Sequence, residues 1–261
     1  MQRIRRIVLL ALSVCICISL PGCNKVKSKF GTDSFVAGQI VTLGTYEQDD
    51  NTENGPEPIE WIVAYVDDVN ERALLVSKYI IDYLPFNMED KNILWRNSDM
   101  RIWLNETFYE ENFSEDDKKF ILESVIGNKE TTDSAKLKRE EADPTIDKIF
   151  LLSEDEIKNE EFVFRDDASN DNRLECTMTA SAYSMREYYL ITEEGQNIKR
   201  FFRFNGIDTG VPTSWWLRTD GVNDNTTALV AYMNDKSELF WIGLHVNSWE
   251  GIRPAMYIKI K

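Results

Sequence analysis

Ile59-Glu-Trp-Ile-Val-Ala-Tyr-Val66 and Arg72-Ala-Leu-Leu-Val-Ser77 are two runs rich in β-branched and aromatic residues. Between them lies Asp67-Asp-Val-Asn-Glu71, a polar segment whose five residues suit a connection between strands. This spacing predicts an antiparallel β-hairpin. Just upstream, Ile40-Val-Thr-Leu-Gly-Thr-Tyr46 alternates apolar and polar residues, and it predicts another strand.

The middle of the chain carries helix signals instead of strand patterns. Ser98 can cap a helix, and Ser114 and Ser153 each stand three residues before an acid, which is the spacing of a capping box. A further helix is predicted over 179–188, a short strand over 149–152, and a loop over the charged stretch 128–145. The residues predicted to line the inner faces of the first two helices are Met100, Trp103, Leu104, Thr107, Phe108, Phe120, Ile121 and Val125.

The last quarter of the chain returns to strand patterns. Strands are predicted over 215–218, 228–233, 239–244 and 252–258. Strands followed by helices and then by strands predict an α+β fold, with antiparallel sheets and the helices in the middle of the chain. We expect the N-terminal strand, 40–46, to pair with the C-terminal strand, 252–258. No repeat or linker divides 39–261, so these residues are predicted to form a single domain.

The N-terminal residues predict an export signal. Three arginines, at positions 3, 5 and 6, precede an apolar run over 7–20, and Leu20-Pro21-Gly22-Cys23 closes the run. The run has 14 residues, fewer than the ~20 that span a bilayer as a helix. The tetrapeptide resembles the signal of bacterial lipoproteins, which implies cleavage before Cys23 and lipidation of that cysteine. An ordinary secretory signal with a chance cysteine, or a retained transmembrane anchor, are the alternatives.

This signal divides the chain into a signal peptide (1–22), a lipidated cysteine with a flexible tether (23–38) and the predicted domain. The formal charge of −15 would become −18 after cleavage, because residues 1–22 carry three arginines and no acid. An acidic surface repels phosphate backbones, so nucleic acid is not an expected partner. The lipid would attach the protein to the membrane. Of four cysteines Cys176 alone would remain in the domain, where it is expected to be a small buried residue without a disulfide partner.

Short segments spread over the chain occur together in a fixed order. They are Val41–Tyr46, Ile59–Val63, Leu74–Lys78, Trp95–Asn105, Phe150–Ser153, Trp215–Thr219 and Gly251–Ala255. In combination they resemble a domain of unknown function from secreted and surface proteins of anaerobic gut bacteria. That family resembles in turn the C-type-lectin-like fold shared with formylglycine-generating enzymes, which implies paired terminal strands. The cysteine pair of those enzymes and the sugar-binding tripeptides of calcium-dependent lectins do not occur in this sequence.

The C-terminal strands and loops carry the predicted ligand-binding residues. Strand alternation sends one of the rings of Trp215 and Trp216 outward, and Trp249 lies in a predicted turn. An outward tryptophan beside acids and amides can stack on a sugar or a peptide. The alternative is that loops cover these rings. In that case Arg218 and Arg253 would hold buried carboxylates or loop carbonyls. The predicted set is Trp215, Trp216, Arg218, Asp220, Asp224, Trp249 and Arg253.

Metal and catalytic groups are weakly represented. The oxygen-rich segments 166–172 and 220–226 could hold calcium, although neither has the spacing of a calcium loop with its closing glutamate. No other cofactor is expected. His245, the only histidine, cannot build a His-based zinc site, and its expected role is structural. No catalytic residue is predicted.

These observations predict a lipid-anchored protein on the extracytoplasmic face of the cell membrane. It is expected to bind an extracellular glycan or protein without catalysis. Two alternatives stay open. One is an enzyme, or an enzyme accessory, that modifies envelope polymers through acidic residues. The other is a structural module that assembles a surface complex.

Overall fold

The computed structural model describes residues 29–30, 34–133, 138–159, 161–162, 178–191, 214–221, 227–233 and 239–260. These residues contain helices together with mainly antiparallel sheets, so the predicted α+β class is confirmed. Strands lie near both ends of the described region, as predicted, and residues 34–261 form one compact unit.

The first sheet has five antiparallel strands in the order β1-β2-β3-β12-β7. The predicted hairpin is confirmed as the pair β2–β3. Asp67 pairs directly with Arg72, however, so residues 68–71 alone connect the two strands. The strands are β1 (Ile40–Tyr46), β2 (Glu57–Asp67), β3 (Arg72–Ser77), β7 (Phe150–Leu151) and β12 (Pro254–Lys259).

The predicted pairing of the N-terminal and C-terminal strands is wrong. β1 pairs with β2, whereas β12 lies between β3 and β7. Strands that are close in sequence pair with little loss of chain entropy, and β1, β2 and β3 therefore pair in succession. The two strands belong to the same sheet, but β2 and β3 separate them.

The second sheet also has five strands, in the order β10-β9-β8-β11-β4. β8 and β11 are parallel, and the other neighbours are antiparallel. The strand predicted over 252–258 is divided at Arg253, which places its two parts in different sheets. The strands are β4 (Asp82–Pro85), β8 (Trp215–Asp220), β9 (Thr227–Met233), β10 (Leu239–His245) and β11 (Trp249–Ile252).

The stretch predicted to be a loop over 128–145 belongs to a two-stranded ribbon, so this prediction is wrong. The ribbon consists of β5 (Ser124–Asp133) and β6 (Lys138–Asp147). Ile126 and Asn128 are buried on one face of β5, while Val125 and Lys129 are exposed on the other. Polar residues occur on both faces, and the apolar period that usually marks a strand is therefore weak. Val125 is 71% exposed and does not face inward as predicted.

The predicted helix starts are confirmed. The Ser98 side chain accepts a hydrogen bond from the Arg101 amide, and Ser114 and Ser153 both form capping boxes. Thr107 is exposed, contrary to prediction. No helix within the described residues combines the length and apolar character needed to cross a membrane. The helices are α1 (Asp99–Trp103), a π-helical turn (Leu104–Phe108), α2 (Tyr109–Asn112), α3 (Glu115–Lys118), α4 (Glu154–Ile157) and α5 (Ala180–Ile191).

An aromatic cluster packs the first sheet against the helices. Phe108 contacts Phe113 edge to face, with ring centroids 5.7 Å apart, and Phe113 also packs against Trp61. The indole of Trp61 is fully buried and donates a 2.7 Å hydrogen bond to the Leu43 carbonyl. Gly44 follows with a φ of +72°, and a Cβ there would lie 2.6 Å from the Phe113 ring. Only glycine fits this close approach.

Candidate functional site

A polar cleft opens between the ribbon, the start of α4 and strand β8. Its volume is about 480 Å³. A smaller hollow beside it shares Asn128, Lys129 and Arg218 with the cleft and extends to Trp95 and Asp220. The residues that line the polar cleft are Gly127, Asn128, Lys129, Glu141, Ser153, Glu154, Asp155, Glu156, Arg218 and Thr219.

Arg218 ties together the three elements around the polar cleft. Its Nε and Nη2 donate to the Gly127 carbonyl of the ribbon at 3.3 and 3.1 Å. Its Nη1 donates to the Leu151 carbonyl of β7 at 2.8 Å, and both Nη atoms bind the Glu156 carboxylate. A guanidinium has five N–H donors, and these contacts use all of them. Arg218 is 7% exposed and holds a partly buried carboxylate and two strand carbonyls, whereas the alternative prediction was buried carboxylates or loop carbonyls.

Glu156 has two roles at the start of α4. Its carboxylate accepts a 2.8 Å hydrogen bond from the Ser153 amide, which completes the capping box, and it also binds Arg218. The Thr219 hydroxyl accepts from the Glu154 amide at 2.9 Å. The first turn of α4 is therefore fixed to β8 by side chains that also form the wall of the polar cleft.

Exposed charges surround the mouth of the polar cleft. The Lys129 ammonium lies 2.6 Å from the Asp155 carboxylate and 3.8 Å from that of Glu141. The hydrogen bond that Lys129 donates to the Asp155 carboxylate raises the pKa of Lys129 above its usual value. The side chains of Glu141 and Asp155 are 77% and 62% exposed, so both can meet a ligand. Four acids and two bases line the cleft, which gives it a formal charge of −2.

Asn128 brings an unused hydrogen-bond acceptor to this wall. The residue is 9% exposed, and its Nδ2 donates to the Asp143 carbonyl at 3.3 Å and to the Thr145 hydroxyl at 3.4 Å. Its Oδ1 accepts no hydrogen bond from the part of the chain that the structure describes. A buried polar atom without a partner costs about 1–3 kcal/mol.

A second buried carboxylate holds the base of the ribbon. Asp147 accepts hydrogen bonds from the Trp95 indole at 2.9 Å and from the Thr145 hydroxyl at 2.7 Å. It also forms a 2.6 Å ion pair with Arg101, and its own side chain is fully buried. The Arg101 guanidinium thus links α1 to β6.

Two further buried carboxylates lie on the paired strands β4 and β11. Glu250 is 1% exposed and accepts a hydrogen bond from the Ser214 hydroxyl. Burial raises the pKa of Glu250 to about 8, although the Ser214 hydrogen bond and the charge of Arg186 act in the opposite direction. Asp82 accepts from the Tyr46 hydroxyl, and burial raises its pKa as well. Neither carboxylate lines the polar cleft.

The structure buries both adjacent tryptophans that were predicted to include an outward ring. Trp215 is 1% exposed and Trp216 is fully buried. The prediction is wrong because β8 is the central strand of its sheet and all six of its residues are buried. The Trp216 indole donates to the Leu84 carbonyl at 2.9 Å, and the Arg253 guanidinium lies 5.2 Å from the Trp215 ring.

The other predicted ligand-binding residues do not converge on one surface. Trp249 begins β11 instead of lying in a turn, and its ring packs against Tyr83. Arg253 is 2% exposed and donates to the Ser77 carbonyl at 3.0 Å, which confirms its predicted alternative role with a carbonyl. Asp220 is buried at the end of β8 and lines the smaller hollow. Cys23, Cys176, Asp224 and the segment 166–172 lie outside the described residues.

The sequence alone did not point to the residues at the mouth of the polar cleft or to the unused acceptor of Asn128. Asn128, Lys129 and Glu141 were assigned to a loop, and Asp155 was seen only as part of a capping box. The strongest available signal was that capping box, because it fixes the direction of the Glu156 carboxylate. Its pairing with Arg218, 62 positions away, has no local signature.

Acidic groups also meet at the connection between β1 and β2. Carboxylate oxygens of Glu47, Asp49 and Glu57 lie within 4.8 Å of one another. Such groups are common without an ion, so this cluster assigns no metal site. His245 is exposed, and its Nδ1 lies 3.2 Å from the Asp90 carboxylate.

Comparison with known families matches residues 70–260 to a domain of unknown function, DUF6273. The match spans more than half of the chain, and the chain therefore belongs to this family. It starts in the turn before β3 and extends past β12, so every element around the polar cleft lies within it. The predicted resemblance to a domain of unknown function is confirmed at this level. No curated protein and no solved structure gave a significant match.

Proposed function

We propose that this DUF6273 protein binds a polar extracellular ligand in the polar cleft, without catalysis, while a lipid on Cys23 holds it at the membrane. The observation that supports binding is the cleft itself, a cavity of about 480 Å³ with exposed carboxylates at its mouth. Its wall carries the unused acceptor of Asn128. Since the rings of Trp215 and Trp216 are buried, the cleft replaces them as the candidate surface.

The rigidity of the wall supports a binding role. Arg218 fixes the ribbon, β7 and α4 to β8, and Arg101 fixes the base of the ribbon to α1. Polar groups that are held in place before the ligand arrives lose little conformational entropy when it binds. The polar cleft is therefore suited to a ligand that is recognised by hydrogen bonds and charge.

A C-type-lectin-like architecture is the finer part of this proposal. It is supported by the mixed α+β class and by the tryptophan-rich strand β8, which precedes the closing strands beside Arg253. Paired terminal strands do not support it, because β1 and β12 are not neighbours. An experimental structure whose superposition on lectin-like domains fails would contradict this assignment.

The membrane anchor is tested through Cys23. We expect the wild-type chain to remain in the membrane fraction and Cys23→Ser to be recovered mainly from the soluble fraction. Mass spectrometry of the N-terminal peptide should find an acylated Cys23 as the first residue. A peptide that still contains residues 1–22, or an unmodified cysteine, would overturn this part of the proposal.

Binding is tested by filling the cleft. Gly127 lies in the lining, and a Cβ at this position would meet no atom within 4 Å, so Gly127→Trp can be accommodated without a clash at the Cβ. The full-length protein in detergent micelles is probed with fractionated envelope polysaccharide and extracellular protein. We expect Gly127→Trp to abolish capture, whereas Val69→Trp, at a position 91% exposed in the β2–β3 turn, keeps it. Equal capture by both variants would rule out the polar cleft.

A further inference from the structure

Resting on that proposed function, we infer that the polar cleft takes a lysine-bearing segment of an extracellular protein. The lysine ammonium would bind between the exposed carboxylates of Glu141 and Asp155 at the mouth of the cleft. Three features of the cleft favour this ligand over a neutral sugar or an anion.

The first feature is the shortage of donors on the lining. The five N–H donors of Arg218 are all used within the protein. Lys129, the other base of the lining, donates to Asp155 at 2.6 Å. The most exposed side chains of the lining that remain, Glu141 and Asp155, offer only acceptors. These acceptors favour a ligand that donates hydrogen bonds.

The second feature is the charge of the mouth. The lining carries four acids against two bases, and the most exposed of these acids are at the mouth. The Lys129 ammonium donates a hydrogen bond to Asp155 at 2.6 Å. It lies 3.8 Å from Glu141, a distance too long for a hydrogen bond. A second ammonium can bind Glu141 closely, whereas an anion would be repelled.

The third feature is the aromatic content of the lining, which favours a peptide over a sugar. Sugar sites commonly offer an exposed aromatic ring for stacking, as an outward tryptophan would. Among the described residues that line the polar cleft there is no aromatic side chain, and Trp95 in the smaller hollow is only 3% exposed. A peptide needs no such platform, since its backbone supplies N–H donors and its lysine supplies the charge.

The test uses three probes against the full-length protein in detergent micelles. They are the blocked peptide Gly-Gly-Lys-Gly-Gly, the same peptide with Nε-acetyl-lysine, and a glucosamine trimer. We expect the lysine peptide to bind about 5-fold or more tightly than its acetylated form, because acetylation removes the charge. Its Kd should rise as salt is added, since the carboxylates at the mouth are solvent-exposed.

Two exposed positions give opposite expected effects. Glu141→Gln should weaken binding of the lysine peptide roughly 2- to 5-fold, the range for an exposed ion pair. Lys129→Met should strengthen it by a similar factor, because it releases both carboxylates to the ligand. Lys119→Met is the matched control, since Lys119 forms an exposed pair with Asp116 on α3 outside the cleft.

The possible outcomes separate this inference from the proposed function. Weaker binding in Lys129→Met, or equal binding of the acetylated peptide, would overturn the charge argument. Binding of the glucosamine trimer without the lysine peptide would overturn the ligand class. If neither probe binds while Gly127→Trp still abolishes capture of an envelope component, only this inference fails. If Gly127→Trp changes nothing, the proposed function fails with it.

Discussion

The wall of the polar cleft and the β4–β11 pair both hold partly or fully buried carboxylates, but with different partners. In the cleft wall, guanidinium groups hold the acids: Arg218 binds Glu156. On the β4–β11 pair, hydroxyl groups hold them: Ser214 binds Glu250, and Tyr46 binds Asp82. A guanidinium balances the charge of a carboxylate, whereas a hydroxyl only donates a hydrogen bond.

This difference affects whether the carboxylates of each region keep their protons in the folded protein. Burial raises the pKa of Glu250 to about 8, so this acid is mainly protonated at neutral pH. The pKa of Asp82 is raised by the same cause. Removing Arg218 from the cleft wall would leave Glu156 without its counter-ion, while neutralising Glu250 would give a state that the fold already prefers. Loss of the guanidinium partner in the cleft wall should therefore lower the free energy of unfolding, whereas neutralising Glu250 should raise it.

The largest expected effect comes from breaking the cleft wall. Arg218→Met should lower the free energy of unfolding by about 3–5 kcal/mol, because it leaves Glu156 and the Gly127 and Leu151 carbonyls without their donor. Chemical denaturation measures this change. The control, Arg72→Met, breaks a more exposed pair with Asp67 and should cost at most about 1 kcal/mol. Similar losses in both variants would show that burial does not distinguish the two ion pairs.

The next effect has the opposite sign. An unfolded chain ionises Glu250 near its usual pKa of 4.5, whereas the folded chain keeps its proton up to about pH 8. Rising pH therefore favours the unfolded state across this window, at about 1.4 kcal/mol per pH unit. Glu250→Gln mimics the protonated acid and should be more stable than wild type by roughly 3 kcal/mol at pH 7. Chemical denaturation between pH 5 and 8 should show a free energy of unfolding that decreases with pH in wild type. The Glu250→Gln variant should lack this decrease.

A smaller effect tests the hydroxyl partner itself. Tyr46→Phe removes the donor to Asp82 and should lower the free energy of unfolding by about 1–2 kcal/mol at neutral pH. The hydrogen bond from Tyr46 lowers the pKa of Asp82, so its loss should raise that pKa further. The fall of stability with rising pH should then continue to a higher pH than in wild type. Tyr183→Phe, at an exposed position on α5, serves as the control and should leave the pH profile unchanged.

The smallest effect compares the capping box under the cleft with one outside it. Ser153→Ala and Ser114→Ala should each cost about 1 kcal/mol. Because Glu156 also binds Arg218, the cost of Ser153→Ala should change when Arg218→Met is already present, whereas the cost of Ser114→Ala should not. Thermal unfolding of the single and double variants measures this coupling. Additive costs at Ser153 would show that the box and the ion pair are independent.

Local sequence patterns predicted much of this fold. The hairpin β2–β3 and the helix starts at Ser98, Ser114 and Ser153 follow from neighbouring residues alone, and all are confirmed. The partners of strands distant in sequence could not be predicted in this way. The place of β12 beside β3 depends on packing that connects residues more than 170 positions apart.

The candidate site was less predictable, for physical reasons. Both faces of the ribbon carry polar residues. The alternation of apolar and polar residues that marks a strand is therefore missing around Asn128 and Lys129. Alternation gave a wrong result for Trp215 and Trp216, because a central strand is covered on both sides. Arg218 was predicted to bind a ligand or, alternatively, to hold buried carboxylates or loop carbonyls, and it holds the Glu156 carboxylate and the Leu151 carbonyl. That its ion pair with Glu156 would form one wall of a cleft cannot be read from one sequence.

The position of β12 has a consequence for how the protein is made. This strand lies inside the first sheet, with β3 on one side and β7 on the other. A ribosome that has not yet delivered residues 254–259 leaves that sheet in two separate parts, and contacts between such distant residues form slowly. The nascent chain is therefore expected to stay incompletely folded until this segment emerges. Truncation just before Pro254 should yield a protein that is degraded or aggregates.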